Sequence, residues 1–210
     1  MSWTRDADVR LAGVAVAQAG AFTRAQARGA GFTAAQIERR ARSGSWVRVL
    51  PGVFHHATTP ASPDLAQWAA VLWAGPDCAL SHTSAAAVWR LVPVGSDRPE
   101  LIVPRTRAPR ARGVLVHRVA RIADADVLEL RGLPVTAPVR TVIDLAGVLG
   151  ERELAAVVER ARSRGLLTIG AVRARLHEIG SAGRPGAARL RALLSTFGSG
   201  QGGASATMAG

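Results

Sequence analysis

An apolar stretch from Val9 to Gln18 predicts a leading helix, and the pattern then breaks into two copies of one short motif. Phe22-Thr23-Arg24-Ala25-Gln26 returns as Phe32-Thr33-Ala34-Ala35-Gln36. In each copy a Thr at the cap position is followed three residues later by Gln, the arrangement of a capping box, and the preceding Phe is placed to staple onto Ala27 or Ile37. Gly29 and Gly31 lie between the copies, so the first of these helices is short and the chain turns sharply before the second. With the leading helix this predicts three helices with a tight turn between the last two, a helix-turn-helix outline. Trp46-Val47-Arg48-Val49-Leu50 and Val53-Phe54-His55-His56 then flank Pro51-Gly52 and predict a hairpin. A two-residue loop sets Leu50 opposite Val53, Val49 opposite Phe54 and Arg48 opposite His55. Val47, Val49 and Phe54 then face the helices, and Arg48 and His55 face away. A type II Pro-Gly turn matches strand twist poorly, so a longer loop is also compatible.

After Thr58-Thr59-Pro60 the pattern changes. Ser62-Pro63 caps a helix that carries Leu65, Trp68, Ala69, Leu72 and Trp73 as a buried stripe. Cys78-Ala79-Leu80 leads into a helix opened by Ser81 and running to Leu91. Strands are expected at 101–103, 114–117 and 127–130, and helices at 137–149, 151–164, 168–179 and 187–197. The Gly, Ala and Ser tail, 198–210, reads as disordered. The fold class expected is α+β: a winged helix-turn-helix over residues 5–56, then a mixed α/β domain over 61–197 that ends in helices.

Composition narrows the chemistry. All 27 basic residues are arginine, against 15 acids, for a net charge of +12, and the chain has no lysine and no tyrosine. This removes P-loop, Schiff-base and catalytic-lysine chemistries and the tyrosine nucleophile of a recombinase. The excess points to a polyanion, since arginine forks onto phosphate, although GC-rich coding also favours arginine. Two basic segments, 1–56 and 98–140, flank a mildly acidic one. A single cysteine excludes an internal disulfide framework, no apolar run approaches the roughly 18 residues of a membrane span, and the start lacks a signal-peptide shape. A soluble cytoplasmic protein is expected.

On the second helix of the motif, at about 100° per residue, Ala34, Ile37 and Ala41 share one stripe, Arg39 lies opposite with Gln36 and Ser43 beside it, and Arg40 and Arg42 flank them. That is the division a recognition helix needs, with Thr33 at its start and Arg48 and His55 on a wing. The DNA-binding set expected is therefore Thr33, Gln36, Arg39, Arg40, Arg42, Ser43, Arg48 and His55. The loop 104–113 adds Arg105, Arg107, Arg110 and Arg112 as contacts for phosphate or an acidic partner. Catalytic patterns are weak. Cys78 and His82 straddle a strand-to-helix junction, Ser81 reads as a helix cap, and Asp124 and Asp126 with His117 read better as acids flanking a strand than as metal ligands. Arg140 and Asp144 pair along a helix. No constellation specifies a reaction, so a non-enzymatic protein without cofactor or metal is expected.

The order Phe32-Thr33 with Ile37, Arg39 and Arg40, Ser43-Gly44, Val49, Gly52-Val53-Phe54, Leu80-Ser81-His82 with Ser84-Ala85-Ala86, Gly132-Leu133-Pro134-Val135-Thr136 with Pro138, Arg140-Thr141 and Asp144-Leu145 resembles the AbiEi family of antitoxins over roughly residues 8 to 195. The resemblance implies a winged helix that binds inverted operator repeats in duplex DNA and represses its own operon. It also implies a C-terminal antitoxin domain that counteracts a nucleotidyltransferase-like toxin in a type IV system without a stable complex. An alternative resemblance is to actinobacterial proteins in which a similar front half precedes a very-short-patch-repair-type nuclease domain. On that reading the chain is a truncated, inactive relative acting as a DNA-binding accessory.

Overall fold

The computed structural model describes residues 2–93, 98–180 and 184–199. It is an α+β fold that divides into two compact units, Met1–Leu80 with Ser96–Val135, and Ser81–Gly95 with Thr136–Gly210.

In the first unit, α1 (Ser2–Ala17), β1 (Ala21–Thr23), α2 (Arg24–Ala30), α3 (Ala34–Arg42), β2 (Trp46–Leu50) and β3 (Val53–His56) come first. The three strands form an antiparallel sheet in the order β1-β3-β2. The Phe residues of both repeats are buried in one cluster with Ala7, Leu11, Ala27, Ile37, Trp46 and Phe54. Trp46 is its aromatic anchor, edge-on to Phe22 at 4.8 Å and to Phe32 at 5.1 Å. The hairpin register differs from the two-residue-loop expectation. Leu50 does face Val53, but Arg48 faces Phe54 and Val47 faces His55, with an irregularity between Arg48 and Leu50. Val49 is the extra residue there. Gly52 at φ +76° makes a turn that fits strand twist poorly, and the bulge absorbs the mismatch while adding local twist. Consequently Val47 and Val49, expected to face the helices, are exposed, whereas Phe54 is buried as expected, together with Trp46, Leu50 and Val53.

The chain continues through α4 (Pro63–Ala74), β4 (Ala79–Leu80), β5 (Glu100–Pro104), β6 (Leu115–Val119), a 3-10 turn at Asp124–Asp126, β7 (Val127–Leu130) and β8 (Leu133–Thr136). These strands build a second sheet in the order β6-β5-β4-β8-β7, with β5 parallel to β6 and β4 parallel to β8. Strand β8 was not expected; the Pro134 within Leu133–Thr136 weakens the strand signal, and Arg131-Gly132, both at positive φ, makes the tight turn before it. Ser62 caps α4 as expected, its hydroxyl accepting from Leu65 N–H at 3.1 Å. The buried face of α4 is Leu65, Ala69, Ala70, Val71 and Ala74, with Trp68, Leu72 and Trp73 only half-buried. Small residues let the helix approach β1, β2 and β3, and the large rings are displaced to its margins. Residues 57–60, where a domain junction was expected, lie inside this unit.

The second unit holds α5 (His82–Val88), α6 (Pro138–Leu145), α7 (Glu151–Ser163), α8 (Ile169–Glu178) and α9 (Ala187–Ser199), close to the helices read from periodicity. Leu91, Val142, Leu145, Leu154, Val158, Val172, Leu190 and Leu194 form its core. Arg140 and Asp144 do pair along α6, and the pair is buried, Nε lying 2.9 and 3.0 Å from the two carboxylate oxygens. Gly198 and Ser199 belong to α9, and the rest of the expected tail lies outside the described residues.

Candidate nucleic-acid interface

Both short helices of the repeat begin on complete capping boxes. Thr23 Oγ1 accepts from Gln26 N–H at 3.0 Å and Thr33 Oγ1 from Gln36 N–H at 3.2 Å, while each Gln carbonyl accepts from the Thr N–H at 2.8 Å. Between them Gly31 closes α2 at φ +112°, and Phe32 N–H reaches back to Ala27 O at 3.1 Å. The capped start and the buried Ile37, fully shielded from solvent, fix the azimuth of α3.

That azimuth sorts the arginines. Arg39 and Arg42 are exposed, and neither lies within ion-pair distance of an acid among the described residues, although the charge of Arg42 is felt at Glu38. Arg40 turns inward: its guanidinium lies 3.0 Å from Asp8 of α1, 4.7 Å from the Phe32 ring centre and 5.3 Å from the Trp46 ring centre. It clasps α3 to the core. Arg48, on the hairpin, lies 3.9 Å from Glu38 and over the Phe54 ring. Glu38 also accepts from Arg24, and that hydrogen bond, then the charge of Arg24, holds its carboxyl below the usual carboxylate range, with Arg48 and Arg42 adding smaller effects against desolvation. Glu38 and Asp8 were not among the expected site residues; for Glu38, an acid alone among the arginines of α3 is the signal in the sequence.

Of the remaining expected residues, Thr33 and Gln36 are engaged in the cap, although the Gln36 amide NH₂ is not used there. Ser43 Oγ donates to Arg40 O at 3.1 Å and lies 3.0 Å from Ser45 Oγ. His55 is half-buried, its Nδ1 2.8 Å from His56 O. The loop 104–113 lies in the same unit. There Arg107 donates to the carbonyls of Ala74 and Pro76, whereas Arg105, Arg110 and Arg112 are exposed.

Cys78 is buried, donates to Gly75 O at 3.1 Å, and desolvation pushes its thiol up to about 11, against the counter-effect of Arg107. Ser81 occupies the N-cap position of α5 but its side chain does not cap the helix; it lies 3.0 Å from His82 Nδ1 instead. His117 Nε2 lies 2.9 Å from the buried Glu100 carboxylate. Among the described residues, no helix is long and apolar enough to cross a membrane.

No protein-family model matches the chain, and no curated protein matches it significantly. Among solved structures, the RV2827C protein from Mycobacterium tuberculosis is similar, with a TM-score of 0.60 at 20% identity over 94% of this chain and 78% of that one. At this identity the likeness is one of fold.

Proposed function

We propose that residues 5–56 act as a winged helix-turn-helix that binds duplex DNA, with α3 as recognition helix and the β2–β3 hairpin as wing, and that the protein is an autorepressing antitoxin of the type IV kind. The observation that carries the DNA-binding reading is the sorting of charge on α3. Ile37 and Arg40 tie one side of the helix to its own core, which leaves Arg39 and Arg42 exposed on the helix and Arg48 exposed on the hairpin. A rigidly held helix with unpaired guanidinium groups on its outer face suits base edges and flanking phosphates. One such helix reads only a few base pairs, so an inverted repeat bound by two copies supplies the specificity a repressor needs. The antitoxin role is supported by the distributed AbiEi-like motifs.

The test is titration of the full chain with a duplex from upstream of its own gene and with a scrambled duplex, at about 50 and 200 mM salt. Tighter binding to the upstream duplex, falling steeply with salt, is expected; equal affinity for both duplexes sinks sequence-specific recognition. The antitoxin role is tested separately by co-expressing a neighbouring nucleotidyltransferase-like toxin with the parent and with Arg39→Ala. Protection by both, with repression lost only in the variant, is expected, and absence of protection by the parent refutes the role.

A further inference from the structure

We infer that the loop between β5 and β6, together with the residues that follow β6, is a second phosphate-binding surface of the first unit and takes the backbone of duplex DNA; the inference rests on the DNA-binding reading above. Between Pro104 and Arg121 the chain carries six arginines and no acid. Two of the six serve the loop itself. Arg107 donates to the Ala74 and Pro76 carbonyls at the end of α4, where unpaired helix carbonyls concentrate negative potential. Arg118 donates to Arg105 O. Backbone bonds from Arg105 N–H to Val119 O at 2.8 Å and from Arg107 N–H to Pro104 O at 2.9 Å complete the tether.

The loop is thus shaped before any ligand arrives, which lowers the ordering cost of binding. It encloses a concavity of about 320 Å³ that has Arg110 and Arg118 in its lining, with Pro109, Ala111 and Val116, and no carboxylate. The Arg110 guanidinium among small side chains suits an anion, because it presents a planar fork of donors to phosphate oxygens, and Arg118, although it holds Arg105 O, adds positive charge to the same concavity. Arg105, Arg112 and Arg121 lie outside the lining of the concavity and are exposed. Charge that continues past a pocket suits a chain of phosphates better than one phosphate. β6 is moreover the outer strand of its sheet, and among the described residues no further strand pairs with its open edge. A row of charges on an edge strand also deters strand pairing between molecules, and the experiment separates that role from phosphate binding.

The full-length variant Arg110→Gln/Arg112→Gln/Arg121→Gln is compared with the parent on duplexes of about one and about three helical turns. On the longer duplex its affinity at low salt is expected to fall roughly tenfold or more, and the slope of log K against log salt to become shallower by about 0.9 per lost phosphate contact. Preference for the upstream over the scrambled duplex stays, and so does the melting temperature. Arg107→Gln, by contrast, is expected to lower the melting temperature. A triple variant with the parent's affinity and salt slope overturns the inference while leaving the role of α3 intact. Loss of slope in the triple variant, with no change of preference in Arg39→Ala, sustains the inference and refutes the role of α3. Tighter binding of the parent to anionic vesicles or single-stranded RNA than to duplex DNA overturns it.

Discussion

Arg39 and Arg40 are adjacent on α3 and have different tasks, because one residue of helix is a rotation of about 100°. Arg40 comes round to the flank of the Ile37 stripe and meets Asp8, Phe32 and Trp46, whereas Arg39 stands on the far side. Arg40→Ala is therefore expected to destabilise the protein by about 1–2 kcal/mol, the worth of a half-buried cation over two rings with an ion pair. Arg39→Ala is expected to leave the melting temperature unchanged while costing about 1–3 kcal/mol of DNA binding and relaxing base preference. Thermal melts of the two variants beside duplex titrations check the contrast, and equal destabilisation by both contradicts it. Cys78 shows the other way a residue is decided by its surroundings. Burial raises its thiol from an ordinary 9.0 to about 11, so the folded state disfavours the thiolate that the unfolded chain readily forms. The stabilisation from keeping it protonated is complete below 9.0 and is lost as pH rises through about 11. Native protein at pH 8 is expected to resist iodoacetamide and to react once unfolded; fast native labelling contradicts this.

At the scale of the element, the start of α3 is where local sequence and site meet. The Thr33–Gln36 box fixes the first turn, and the first turn sets which residues face outward. Thr33→Ala is expected to cost about 1 kcal/mol of stability and to weaken binding to all duplexes alike, with Thr33→Ser restoring both. Denaturant unfolding and titration of the same preparations measure this; a change in base preference without loss of stability would assign Thr33 to DNA contact instead. The hairpin illustrates the opposite case. Leu50 opposite Val53 follows from the position of Pro51-Gly52, but the bulge at Val49 shifts everything beyond it by one residue. In a strand that shift exchanges faces, which is why Val47 and Val49 are outside and Trp46 is inside.

At the scale of the molecule, each unit has its own hydrophobic cluster, one around Trp46 and Phe54 and one around Leu154 and Leu190. Leu154→Ala is expected to cost about 2–5 kcal/mol of stability through lost contacts and a cavity. Because the DNA-binding surfaces proposed here lie in the first unit, the same variant is expected to keep its duplex affinity within about twofold where it is folded. Chemical denaturation followed by titration at low temperature tests this, and a parallel loss of both would tie DNA binding to the second core. The helices of the second unit were legible because each is long enough for its 3.6-residue period to show, and the repeated cap because Thr and Gln three apart act within one turn. The charge excess and the outward place of Arg39 were legible for the same local reasons. Strand β1, the five-strand order and the engagement of Arg40, Arg107 and Glu38 were not. Each depends on a partner far along the chain: Phe54 for Phe22, Val135 for Leu80, Asp8 for Arg40, Ala74 for Arg107. Local periodicity and capping therefore determined most of the helices from the sequence alone, whereas strand pairing and the division of the arginines into structural and exposed ones were decided only by tertiary contacts, because hydrogen bonds and ion pairs between distant residues leave no local pattern to read.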